Sequence, residues 1–137
     1  MYRESGGSGP CHAQIALCWA REEAQAKRTA HRYFRFSVPA WKVMAELPNP
    51  VNFEAASKTV TEEDVAESVP CGPDPEKHIA GIQKYIDAGF DHIAVLQAGP
   101  DQQGFLKFWQ SELRPRLEKL GAARSQEAAT PAAGRNS

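Results

Sequence analysis

The sequence predicts an α/β fold on a parallel sheet, one that needs more strands than these 137 residues supply. Two runs, AQIALCWA (13–20) and HIAVLQA (92–98), are apolar at nearly every position, as strands covered on both faces are. Amphipathic segments with start and stop residues follow them. The resulting order of strand, helix, excursion, strand, helix, strand, helix is that of right-handed βαβ units. An open three-stranded sheet would leave two long apolar edges, so the physics alone predicts part of a larger domain.

Each element has its local reason. YRESGGSGP (2–10) holds three glycines and two serines before a proline and is a loop. After the first strand, REEAQAKRTAHRYFRF (21–36) is helical, with Glu22 and Glu23 near its positive end and Arg32 and Arg35 near its negative end. SVPAWKVMAELPNP (37–50) has three prolines and no sustained period, which predicts an irregular excursion or short helical pieces. VNFEAASKTV reads as a short helix, and TEEDVAESV opens on the capping box Thr61-x-x-Asp64. SVPCG (68–72) reads as a brief middle strand ending in a turn.

Asp74 as N-cap with Pro75 at the first helical position starts the next helix. Ile79, Ile82 and Ile86 give that helix its apolar face, and Gly89 stops it. The last helix presents Phe105, Phe108, Trp109, Leu113, Leu117 and Leu120 on one face, with Pro115 expected to bend or restart it. These aromatics read as core packing. After Gly121 the residues are small and polar, which predicts a disordered tail over 122–137.

Composition narrows the function classes. A formal charge of −1 gives no electrostatic case for nucleic acid or an anionic membrane, and Arg28, Arg32 and Arg35 read as a solvated helix face. No apolar run reaches the ~18 residues of a membrane span, and the first residues do not have the pattern of a signal peptide. The three cysteines, Cys11, Cys18 and Cys71, form no CxxC pair and fit reduced thiols, so the expected location is cytoplasmic.

The ordered set EEAQAKRTAH, LPNPVNFEAAS, CGPDPE, AGFDHI, GPDQQGFLKFW and ELRPRL resembles the C-terminal end of luciferase-like flavin and deazaflavin oxidoreductases. It most resembles the branch related to glucose-6-phosphate dehydrogenases that use coenzyme F420, over roughly residues 10–121. The resemblance implies an incomplete (β/α)8 TIM barrel, a fold that takes ~250 residues when whole. Residues 13–121 would be about its last three βα units, with parallel strands and outer helices, and residues 1–12 a loop between barrel units. It also implies hydride transfer between a small organic substrate and the deazaflavin, with the family's catalytic His and Glu in the N-terminal units. No catalytic residue and no metal site is therefore expected here, and the chain is expected to be inactive alone. FMN, as in luciferase-like monooxygenases, is the alternative cofactor, and a non-catalytic remnant is the alternative role. The expected partner is a complementary N-terminal barrel portion or a second copy of the chain.

Barrel active sites lie at the C-terminal ends of the strands. That rule selects Cys71, Gly72, Gln97 and Gly99 as candidate cofactor contacts and Trp19 as a candidate substrate contact, while Trp41 in the excursion is a candidate substrate contact as a lid over the mouth. The resemblance adds Met44 and Ser68, which stand where the glucose-6-phosphate branch holds the sugar phosphate with Lys and Arg. A phosphate dianion is normally held by paired basic groups, so a different alcohol, aldehyde or imine, or a different redox step, is expected. CGPDPE can present backbone amides to a phosphate, or it can be an ordinary capped strand–helix turn. His12, His31, His78 and His92 read as structural or solvated, and Cys71 as an inert thiol.

Overall fold

The computed structural model describes residues 2, 4–39 and 41–129. The first and last apolar runs form β1 (His12–Leu17) and β2 (His92–Gln97), which pair in parallel, residue by residue, from His12↔His92 to Leu17↔Gln97. They are direct neighbours, where a middle strand between them was expected.

The expected middle strand, 68–72, shrinks to a single parallel bridge between Cys71 and Cys18. Cys18 donates its amide to the Pro70 carbonyl (2.9 Å) and accepts from the Gly72 amide (2.9 Å), while the preceding carbonyl, Leu17, accepts from Ala98 (2.7 Å). Successive strand residues direct their backbone groups to opposite edges, so the 70–72 turn lies on the edge of β1 away from β2. The reasons for the contraction are local. Ser68 still belongs to a helix, Pro70 has no amide to donate, and Gly72 turns the chain with φ +107°.

Helices cover the pair. Cluster one joins Ile15 and Leu17 to Ile79 and Ile82 of α5 (Pro75–Asp87), Phe105 and Phe108 of α6 (Gln102–Phe108), and Leu113. Ile93 and Val95 of β2 pack against the same cluster. The aromatic stripe is core, as its spacing predicts. Cluster two is made of smaller side chains: Cys18, Ala26 and Ala30 of α1 (Glu23–Phe34), Val65, Val69 and Cys71. The excursion is the short helices α2 (Trp41–Ala45) and α3 (Pro50–Ala56). It leads to α4 (Glu62–Ser68), whose capping box is formed by Thr61 and Asp64.

On the other face of the sheet Gln14, Ala94 and Leu96 are exposed, and the rings of His12 and His92 stack at 4.6 Å. An open face was expected, and it is present. It is less apolar than predicted, because Gln14 and the two histidines share it with Leu96.

Both ends of α5 follow the local signals: the Asp74 side chain accepts from Glu76, and Gly89 takes φ +87°. Pro115 restarts the last helix, as expected. A π-helical turn, Trp109–Leu113, accommodates the proline, and the helix runs on into α7 (Arg114–Ala129). Helix continues past Gly121 to Ala129, into the span expected to be a disordered tail. The alanines at 122, 123, 128 and 129 carry the highest helix propensity. Residues 130–137 lie outside the described residues. Among the described residues no helix is long and apolar enough to cross a membrane.

Candidate functional site

The C-terminal ends of β1 and β2 meet in a side-chain clamp. Gln97 is 7% exposed, and its amide holds both backbone groups of Trp19. The Trp19 amide donates to Gln97 Oε1 (2.9 Å), and Gln97 Nε2 donates to the Trp19 carbonyl (3.0 Å). The side chain thus continues the ladder one step beyond the last strand residue. Gln102 then folds back from α6 and donates to the Gly99 carbonyl (2.7 Å). A Cβ on Gly99 would press on Gln97 and Thr29, so glycine lets this loop approach α1.

The second rim segment is the Cys71–Gly72 turn. The Gly72 carbonyl accepts from His78 Nε2 (2.8 Å), and His78 is fully buried on α5 with its ring edge-on to Phe108. Burial lowers the His78 pKa, so the imidazole is held neutral, and its Nδ1 has no protein partner. A Cβ on Gly72 would meet Glu23, which ion-pairs with Lys77 at 2.7 Å and Lys27 at 3.5 Å and so ties α1 to α5. The Lys77 hydrogen bond lowers the Glu23 pKa.

Cys71 and Cys18 lie side by side beneath this turn, 4% and 0% exposed. Cys71 donates to the Val69 carbonyl (3.1 Å) and Cys18 to the Ala26 carbonyl (3.3 Å). Contact with the Cys18 thiol, and then burial, push the Cys71 thiol up, which keeps it protonated.

Two clefts border these segments. One, of about 640 Å3, is lined by Ser68 and Cys71 together with Lys27, Lys77 and Lys84 and with Glu23, Glu63 and Glu67. Three cations against three anions give it no net field for a phosphate dianion. The other, of about 480 Å3, lies between Trp19 and α6, with Arg21, Lys107 and Asp101 at its margin. Trp19 stacks on Phe108 there and lies over Gly104, where any Cβ would collide with its ring.

The structure therefore brings Ser68 and Cys71 to one cleft and Trp19 to another. Met44 is half-buried on α2, and the side chain of Trp41 lies outside the described residues. Ser68 sits at the end of α4, its hydroxyl donating to the Val65 carbonyl (3.1 Å). The polar groups that would hold a cofactor are already engaged inside the chain: both backbone groups of Gly72, the carbonyl of Gly99 and the amide of Gln97. The described residues do not by themselves fit a deazaflavin. Among them no group of three or more His, Cys, Asp or Glu could hold a metal ion.

Sequence reasoning missed the Gln97 clamp, the burial of His78 and the Cys18–Cys71 pair. The first had a signal, a lone polar residue ending an apolar strand. The other two depend on which strands are neighbours, which spacing along the chain does not encode.

No protein-family model matches the chain. It is 36% identical over 75 residues to the F420-dependent glucose-6-phosphate dehydrogenase 2 of Rhodococcus jostii (strain RHA1), a match covering 55% of this chain and 22% of that protein. The F420-dependent glucose-6-phosphate dehydrogenase of Mycolicibacterium gilvum (strain PYR-GCK) is 35% identical over 75 residues, with the same shares covered. The matches fall in the C-terminal part of these relatives, and the chain spans about a fifth of their length. Its fold is similar to that of a solved F420-dependent secondary alcohol dehydrogenase in complex with an F420-acetone adduct. The TM-score is 0.64 at 18% identity, over 80% of this chain and 34% of the other. That likeness shows the fold: part of a (β/α)8 barrel, seen from two neighbouring strands and their helices.

Proposed function

We propose that this chain, an F420-dependent luciferase-like family member by its kinship with the C-terminal part of those enzymes, forms one wall of a deazaflavin-dependent oxidoreductase barrel. The observation that carries the reading is the 36% identity to an F420-dependent dehydrogenase over 75 residues. In such an enzyme a bound deazaflavin supplies the hydride acceptor or donor. The residues of this chain act by shape. The Gln97–Trp19 clamp and the Gly72 turn fix the ends of the strands, and Trp19 gives the mouth an aromatic surface. Cofactor contacts, the acid–base groups and the remaining barrel strands come from a complementary N-terminal portion.

The substrate is a small alcohol, aldehyde or imine without a phosphate. This rests on Met44 and Ser68 standing at the expected phosphate positions and on the balanced charge of the Ser68 cleft.

Co-expression with the N-terminal barrel portion of an F420-dependent relative tests the reading. The two pieces should co-purify, alter F420 fluorescence on titration, and reduce F420 with a secondary alcohol but not with glucose 6-phosphate. Co-purification without any F420 binding would overturn it. Binding of FMN in place of F420 would assign the chain to the monooxygenase branch.

A further inference from the structure

We propose that Cys18 and Cys71 are a redox pair that closes to a disulfide, stapling the Pro70–Gly72 turn to β1 when peroxide enters the cleft beside it. The geometry comes from the parallel bridge that these two residues form. Cys18 is bonded to Pro70 on one side of Cys71 and to Gly72 on the other, which sets the two cysteines directly opposite each other. Opposed residues of neighbouring strands carry their side chains on the same face, and the strand backbones lie about 4.7–4.9 Å apart. That separation falls within the roughly 4.4–6.8 Å between Cα atoms that a disulfide spans. The two cysteines share the apolar shelter of Ala26, Ala30, Val65 and Val69.

Access is one-sided. Cys18 is wholly covered, whereas Cys71 forms part of the wall of the 640 Å3 cleft. Hydrogen peroxide is small enough to enter such a cleft, whereas a bulky disulfide oxidant must first displace the turn. Peroxide transfers one oxygen to the Cys71 sulfur, giving a sulfenic acid and one water as the O–O bond breaks. The Cys18 sulfur then attacks that sulfenic sulfur, the S–S bond forms, and the hydroxyl leaves with the Cys18 proton as a second water. Two electrons pass from the thiols to the peroxide. A thiol reductant reverses the step by exchange. The neutral state of Cys71 makes the first step slow, so the pair responds to sustained rather than trace oxidant.

The crosslink joins residues far apart in the sequence, so closing it restricts the unfolded chain and tightens the rim turn. This inference rests on the bridge geometry and the adjoining cleft and stands or falls independently of the proposed cofactor.

The test uses the full chain carrying Cys11→Ser, so that only these two thiols remain. It is exposed to hydrogen peroxide under native conditions, its free thiols are blocked, and it is digested for peptide mass mapping. The expected product is an intramolecular peptide pair joined through Cys18 and Cys71, lost on treatment with dithiothreitol. The amides of Cys71 and Gly72 should exchange several-fold more slowly in the oxidised form. The same slowing must be absent when Cys71→Ala or Cys18→Ala is treated alike; either variant suffices if the other does not fold. Free thiols at every dose, sulfinic acid on Cys71 without a crosslink, or a crosslink between two chains would each overturn the proposal.

Discussion

The two cores of this molecule are built from side chains of different size. Cluster one packs Leu17, Ile79, Ile82, Phe105, Phe108 and Leu113 between the strand pair and three helices, with Trp19, Trp109 and Leu117 at its margin. Cluster two is made of alanines, cysteines and valines beneath α1 and α4, and the stretch from the end of α1 through α3 leaves Tyr33, Phe36, Val43 and Val51 exposed. Large side chains fill the space between a sheet and its outer helices. Small ones allow α1, the Gly72 turn and the Gly99 loop to converge on the rim. Cluster one therefore holds the wall together, and cluster two sets the spacing at its mouth.

Truncation separates the two most strongly. Leu17→Ala removes a wholly buried side chain from cluster one and should cost about 3–5 kcal/mol, whereas Val65→Ala in cluster two should cost about 1.5–2.5 kcal/mol. Urea unfolding of the two variants measures the difference; equal losses would mean that the clusters share the burden. A smaller effect is expected at the seam between them. Gln97→Leu leaves the Trp19 amide and carbonyl without partners, at about 1–3 kcal/mol. It should also change the near-ultraviolet signal of Trp19, which a loss of stability without local rearrangement would not.

The smallest effect is a dependence on pH. Burial lowers the His78 pKa in the folded chain, so between the folded and unfolded values the unfolded chain binds more protons. The stability contribution is fully present above the unfolded value of about 6.5 and is lost as pH falls below it. His78→Gln keeps a donor for the Gly72 carbonyl and should flatten the chemical-denaturation midpoint across that range. An unchanged slope would show that His78 does not titrate in this way.

What the sequence made legible follows the same division. Strand β1, strand β2, the capping box at Thr61, the start at Asp74 and Pro75 and the stop at Gly89 all depend on residues within a few positions of one another. The aromatic face from Phe105 to Leu113 was equally plain, because helical spacing alone selects it. The middle strand was overread. SVPCG has strand-like residues, but Pro70 has no amide to donate and Ser68 was still held by the preceding helix. The rim was the least legible. Whether Gln97 faces a ligand or the backbone of Trp19 depends on the register between residues far apart in the chain, and so does the meeting of Cys18 with Cys71. Gly72 and Gly99 were selected for position and are present at the strand ends, yet their polar groups turn inward.

The proposed role is that of a wall with an engaged rim, one that shapes a deazaflavin site without holding the cofactor alone. Titrating coenzyme F420 with the purified chain, followed by its fluorescence, tests this directly. The account predicts a signal unchanged from that of free cofactor throughout. A saturable change with the chain alone would contradict it, because a complete cofactor cradle would then lie within these 137 residues.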